Sequence, residues 1–276
     1  MMAAPVVISL VLVAMHGYLG SHVVKRGVIF VDIALAQIAA FGVAMALLFG
    51  AEVGTDNAYF VGLAATFLGA LLLSMTRGGN SRIPQEAYIG IIYVVFSAAM
   101  ILVLTTVPHG GEEISHLLVG SILWVSWAVV IKTAILYGIL GVVLYFCHKP
   151  LLRISEDPDR ARRDGMNLGR WDFVFYMVLG MVVTSSVQVA GVLLVFSLLV
   201  VPSVMALRLF FTMKGQFFWV VGMGTAVVIV GSALSYVLDL PTGAAIVCTF
   251  GLALGIQVMV EAMVGNRRQF LRKGNR

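Results

Sequence analysis

Long apolar runs alternate with short polar joints along the whole of this chain. The runs cover 3–24, 28–50, 58–75, 86–107, 117–147, 172–187, 190–206, 217–237 and 243–264. A helix rises about 1.5 Å per residue, so roughly 20 apolar residues cross a hydrocarbon core. Most of the runs suit that length, but 117–147 is too long for one straight span. It divides into a short helix, Leu117 to Trp127, lying in the outer surface with Trp124 and Trp127 at headgroup depth, and a crossing over 128–148. The runs 172–187 and 190–206 are short and predict broken or tilted helices. Pro202, inside the second, predicts a break or kink there. The pattern predicts an all-α, polytopic transmembrane helical bundle of about eight to nine spans plus the short outer helix, in one domain over 1–276.

Charge orients this bundle. Of 18 Lys and Arg residues, all but Lys132 fall in five patches: Lys25 and Arg26; Arg77 and Arg82; Lys149 through Arg170; Arg208 and Lys214; and the tail from Arg267. Basic residues gather on the cytoplasmic side of membrane spans. Nine crossings, with the N-terminus outside and the C-terminus inside, place all five patches within. The outer joints then hold Glu52, Asp56, Glu112, Glu113 and Asp239.

Composition agrees. The chain is 61% hydrophobic and 11% charged, where a soluble domain carries about 25% charge. Its net charge of +5 does not point to nucleic acid, because the basic patches flank apolar runs and lack interleaved aromatics. Cys147 and Cys248 lie in apolar runs and read as small buried hydrophobes rather than a disulfide. The first run lacks a basic leader and reads as a span, not a cleaved signal. Gly231 with Ser235, and Gly251 with Gly255, form small-xxx-small pairs, for packing within a subunit or between subunits.

Polar residues inside the runs are the candidates for chemistry. Asp32 and Gln37 interrupt an otherwise apolar stretch, and an ionisable group within a span is costly to bury. Asp32 either serves a transport pathway or, lying near the boundary, pairs with Lys25 or Arg26. Gln188 precedes Pro202 by about four turns, in the region predicted to be broken, and both are pathway candidates. The outer loop 108–116 carries His109, Glu112, Glu113 and His116, a candidate metal-collecting set on a flexible Gly-Gly segment, with a solvated loop as the alternative. His16 reads as a packed, hydrogen-bonded residue, His22 lies in or near the first span, and His148 reads as an interfacial anchor. In the connection 149–171, Asp157 or Asp159 is placed to cap a short helix that Gly165 ends. The basic segment 265–276 reads as a cytoplasmic tail near anionic lipid.

Four segments carry a family likeness, in order. They are Leu19 to Gly42, with its Leu-Gly-Ser turn, basic pair and polar second helix; Glu86 to Tyr93, with an acidic start and Ile-Gly-Ile core; Val189 to Ala206, an apolar run holding Pro202; and Asp239-Leu-Pro-Thr-Gly243. Together they resemble the permease subunits of bacterial ABC importers for zinc, manganese and iron, the ABC-3 family. The resemblance implies a transport subunit of the bacterial plasma membrane, with no catalysis and no cofactor of its own. It implies a transported divalent metal ion, zinc ahead of manganese or iron. It implies a second copy forming a homodimer, a cytoplasmic ABC ATPase that binds ATP, and a periplasmic or lipid-anchored binding protein. It also implies that the short inner helix meets the ATPase, through Pro158, Arg160, Arg162, Arg163 and Gly165. The chain departs from the family at its second helix, where Asp-x-x-x-His is usual. Gln37 stands at the His position and Asp32 one residue early, so the two lie about 140° apart around a helix and cannot make the same two-ligand site. A related permease carrying a metal chelate or organic cofactor is the alternative.

Two other classes find little support. No G-x-x-x-x-G-K-[ST] phosphate loop occurs, so the energy source is a separate subunit. No H-x-x-x-H or equivalent cluster suggests an intramembrane enzyme.

Overall fold

A computed structural model describes residues 3–52, 55–77, 83–107, 122 and 125–273, with side chains described between Ala4 and Met263. The helices are α1 (Ala3–Arg26), α2 (Val31–Leu48), α3 (Asp56–Met75), α4 (Gln85–Leu104), α5 (Trp127–Glu156), α6 (Pro158–Arg163), α7 (Leu168–Leu209), α8 (Met213–Leu238) and α9 (Thr242–Lys273). Among the described residues nine helical stretches are long and apolar enough to cross a membrane, with α7 contributing two, Leu168–Ala190 and Val192–Leu209. Helices suit that role because each satisfies its own backbone hydrogen bonds where no water is present.

The break in α7 falls at Gly191, whose φ of 75° and ψ of 159° leave the helical region. That positive φ is natural to glycine and costly for any residue with a Cβ. The break lies beside the joint predicted between the runs 172–187 and 190–206; the break or kink predicted at Pro202 does not interrupt the helix, which continues through that residue. A proline forfeits one backbone bond and helices in a packed bundle tolerate it, whereas the non-helical φ and ψ at Gly191 turn the chain out of the helical path.

Contacts with α1 show how α7 runs. Asp172 meets Arg26 at one end of α1, and Ser186 meets His16 ten residues back along it. Beyond Gly191 the chain heads back, and Leu199 and Ser203 lie against Gly20. A Cβ at Gly20 would overlap the Leu199 carbonyl oxygen, so glycine is what lets α1 and α7 touch backbone to backbone. α7 is the centre of the bundle and packs on α1, α2, α3, α5, α8 and α9. α1, α2 and both halves of α7 bury most of their apolar windows, while α4 and α9 bury under a fifth of theirs. The core is accordingly built from α1, α2 and α7, and the outward faces of α4, α5, α8 and α9 carry exposed apolar side chains suited to lipid or a second subunit.

Several sequence boundaries shift. α5 does not end near 148 but runs to Glu156 and takes in Pro150 and Arg153. The segment 149–171, read as a loop, is the end of α5, all of α6 and the start of α7. The stretch read as a basic tail from 265 continues α9 as far as Lys273. Of the outer helix expected over 117–127, residues 117–121, 123 and 124 lie outside the described residues, and Trp127 opens α5. Gly231 sits against the Ile246 backbone and Ser235 bonds to Thr242, so that small pair packs α8 on α9 within the subunit. Gly251 and Gly255 face open space. Cys248 is exposed on α9 rather than buried, because the face of the helix that carries it points away from the bundle, and Cys147 is half-buried.

Candidate functional site

The basic ends of the helices converge on one buried carboxylate. Asp172, in the first turns of α7, accepts from Arg26 of α1 at 2.7 Å and from Arg77, just past α3, at 2.6 Å. The side chains of Asp172 and Arg26 are 0% exposed and that of Arg77 is 14% exposed. Charge of this kind persists away from water only when paired and hydrogen-bonded throughout. The Arg26 guanidinium meets that demand: Nε donates to Ser155 Oγ at 2.8 Å, Nη2 lies 3.4 Å from the Leu151 carbonyl, and its plane covers the Phe175 ring at 4.2 Å. The rigid fork of arginine is what permits one side chain to hold several acceptors at once.

Ser155 extends the network to His22. Its hydroxyl donates to the Leu151 carbonyl at 2.8 Å, so toward Arg26 and toward His22 Nδ1, also at 2.8 Å, the oxygen accepts. His22 Nδ1 therefore carries the hydrogen, and its Nε2 is a bare acceptor, buried and without a partner. Nearby, Tyr18 Oη meets His148 Nδ1 at 2.9 Å, which ties His148 into the bundle. At the start of α4, Gln85 bonds to the Leu73 carbonyl and Tyr176 hydroxyl, and Glu86 accepts the backbone N–H groups of Ile29 and Phe30, closing the α1–α2 turn.

α6 projects from this buried network. Of the two caps the sequence offered, Asp157 serves, its Oδ1 accepting from Arg160 N–H at 2.9 Å, and Gly165, at φ 78°, stops the helix. Ala161 is buried against Ile154 and Leu168. Arg160, Arg162, Arg163 and Gly165 are exposed and Pro158 is half-buried. The result is a short helix with an apolar underside and a basic outer face.

The pathway candidates are separate from this cluster and from one another. Asp32, 1% exposed in the first turn of α2, accepts from Ile33 N–H at 2.8 Å through Oδ1, and its Oδ2 has no partner. The expected alternative, pairing with Lys25 or Arg26, does not occur: Lys25 pairs with Glu156 at 3.7 Å and Arg26 with Asp172. Gln37 is buried on the same helix with its side-chain oxygen unpartnered. Gln188 is exposed beside the Gly191 break, and Pro202 is buried in the second half of α7. The proposed metal-collecting residues His109, Glu112, Glu113 and His116 lie outside the described residues. Among the described residues, no three His, Cys, Asp or Glu side chains converge to hold a metal ion.

Sequence reasoning missed two features. One is Asp172, whose signal was a lone acidic residue opening an apolar run beside a basic patch. The other is the run Thr184-Ser185-Ser186, in which consecutive hydroxyls reach three different helices. Thr184 meets Thr66 of α3 at 3.0 Å, Ser185 lies 3.4 Å from Tyr137 of α5, and Ser186 meets His16 of α1 at 3.1 Å. Successive helical residues point about 100° apart, so three in a row address three neighbours. His16 Nδ1 donates to the Leu12 carbonyl at 2.8 Å, so Nε2 is an acceptor, and the Ser186 hydroxyl that faces it is shared with the Val183 carbonyl, each at 3.1 Å.

Comparison with known proteins places these features. The chain is 28% identical to the probable iron transport system membrane protein of Haemophilus influenzae, over 83% of this chain and 82% of that one. It is 27% identical to the manganese transport system membrane protein MntC of Listeria monocytogenes, over 84% of this chain and 80% of that one. The fold matches that of PsaBC from Streptococcus pneumoniae, solved with a Fab, at a TM-score of 0.76 and 22% identity, covering 92% of this chain and 89% of that one. It also matches an ABC transporter described as metal-chelate type, in an inward-facing conformation, at a TM-score of 0.69 and 17% identity, over 92% of this chain and 85% of that one. With its buried core of α1, α2 and broken α7, and a match of residues 1–261 to the family model, this multi-pass helical chain belongs to the ABC 3 transport family.

Proposed function

We propose that this chain is the membrane-spanning subunit of an ABC importer for a divalent transition metal, manganese ahead of iron. The observation that carries the reading is α6: a basic outer face on a short helix, capped at both ends and seated by Ala161, on a chain of this family that has no phosphate loop of its own. Such a helix suits a cleft on a separate ATPase, which supplies the energy. The order of cargo moves from zinc to manganese and iron because these are the metals that the relatives' names carry. Imidazole and carboxylate ligands bind divalent transition metals in general, so they do not discriminate among these ions.

In this reading the end that bears α6 faces the cytoplasm of the bacterial plasma membrane, with the N-terminus outside and the C-terminus inside. Two copies enclose the pathway, a binding protein delivers the ion to the outer face, and ATP-driven rocking alternates access. Asp32, with one carboxylate oxygen unengaged, and Gln37, with its amide oxygen unengaged, are the α2 pathway groups, and about 140° apart on the helix they would meet the ion at different points rather than as one two-ligand site; Gln188 and Pro202 flank the α7 break. The test is uptake. Cells lacking the chain should fail to accumulate manganese from limiting medium and regain it with the gene restored. Unchanged accumulation of manganese, iron and zinc would sink the proposal.

A further inference from the structure

We infer that Arg26 is the residue through which movement of α6 reaches the body of the bundle. The inference rests on α6 being the ATPase contact, and concerns what happens after docking.

A six-residue helix has too few internal bonds to hold its own direction, so its orientation is set by what anchors its two ends. Both ends lead to the same guanidinium. Ser155, two residues before the Asp157 cap, accepts from Arg26 Nε at 2.8 Å. Asp172, in the α7 arm that leaves α6, accepts from Arg26 Nη1 at 2.7 Å. Arg26 is the last residue of α1 and its side chain alone ties both arms that carry α6 to that helix; His22, through Ser155, and Lys25, through Glu156, hold only the α5 arm. Arg77 brings the end of α3 to the same carboxylate. The Arg26 and Asp172 side chains are both 0% exposed, so water cannot replace these bonds as the arms shift.

Beneath α6 lies a small apolar patch, Ala161 with Ile154 and Leu168, flanked by Met166 and Trp171. Apolar contacts are non-directional and slide, whereas a forked, charge-assisted arrangement fixes angle as well as distance. Displacement of α6 therefore pulls α1 and α3 through Arg26 and Asp172. Lysine at position 26 preserves the charge but not the fork, so it cannot hold Ser155 and Asp172 in the same geometry. Arg26 is thus a positioning residue for transport.

The complete transporter, with its ATPase and binding protein, is reconstituted in liposomes, and ATP hydrolysis and uptake of radioactive manganese are measured on the same vesicles. Iron serves as the cargo if that is what the wild type takes up. For Arg26→Lys the expected result is a complex that still purifies whole and hydrolyses ATP, with ions moved per ATP reduced about fivefold or more, the lower end of typical coupling effects. An unchanged ratio overturns the inference. So does a parallel fall in hydrolysis and uptake in an intact complex, which is the mark of a merely structural residue. Should Arg26→Lys fail to assemble, Ser155→Ala decides, because it leaves the ion pair and frees the α5 arm from Arg26, and from His22 with it: a reduced ratio sustains the inference and an unchanged ratio overturns it. The docking reading fails by a different result, namely that Arg160→Glu with Arg163→Glu leaves the ATPase bound.

Discussion

Arg77 and Asp172, 95 residues apart in the chain, meet at 2.6 Å, with one guanidinium nitrogen reaching both carboxylate oxygens. The contact joins the end of α3 to the start of α7. The same carboxylate neutralises Arg26, which has no access to water. Removing the acid is therefore expected to cost far more than removing Arg77. Asp172→Ala strands a buried guanidinium, a change typically worth about 3–5 kcal/mol, whereas Arg77→Ala leaves the Arg26–Asp172 pair intact. Thermal unfolding in detergent should rank Asp172→Ala well below Arg77→Ala. Equal melting points would contradict the account.

Gly20 governs how closely α1 and α7 approach. Gly20→Ala would press a Cβ into the Leu199 backbone, which cannot swing aside as a side chain can. Overpacking of this kind costs about 1–3 kcal/mol. Gly138→Ala meets open space and serves as the control. Monodispersity on size exclusion is expected to fall for the first variant and not for the second.

Ser186 supplies the partner of His16 Nε2. Ser186→Ala leaves that nitrogen buried and unpaired, at about 1–3 kcal/mol. Ser186→Thr restores a hydroxyl and should recover much of the loss in the same unfolding assay. Identical behaviour of the two variants would show that the hydrogen bond is not what stabilises the site.

On the proposed importer reading, Asp32→Asn should leave the fold intact while manganese uptake falls about tenfold, the scale on which ligand-supporting groups act. The amide is nearly isosteric and still accepts from Ile33 N–H, so folding loses little. Normal uptake by a well-folded Asp32→Asn protein removes Asp32 from the pathway.

The orientation of α6 is open to direct labelling. In a background with Cys147 and Cys248 replaced, a cysteine at Asp159, which is exposed on α6, should resist a membrane-impermeant maleimide added to intact cells and react in inverted vesicles. Ala161 would be a poor choice because it lies under the helix. Reaction from outside would reverse the proposed topology.

The chain's own pattern was enough to show a helical membrane bundle, a doubtful joint near residues 188–190, and a short helix capped at Asp157 or Asp159 and ended by Gly165. Those features follow from local physics: apolar length against bilayer thickness, and capping side chains within a few residues of the groups they satisfy. Only the tertiary structure decided that the break falls at Gly191 rather than Pro202, since a packed helix accommodates proline's missing hydrogen bond. Only the tertiary structure decided, too, that Arg26 and Arg77 are more than marks of the inner side. Their partner Asp172 lies 146 and 95 residues away, and periodicity along one helix cannot report which distant helix it will face. The burial of Asp32 away from Lys25 and Arg26 was hidden for the same reason: nearness in sequence offered two partners, and packing assigned both to other acids.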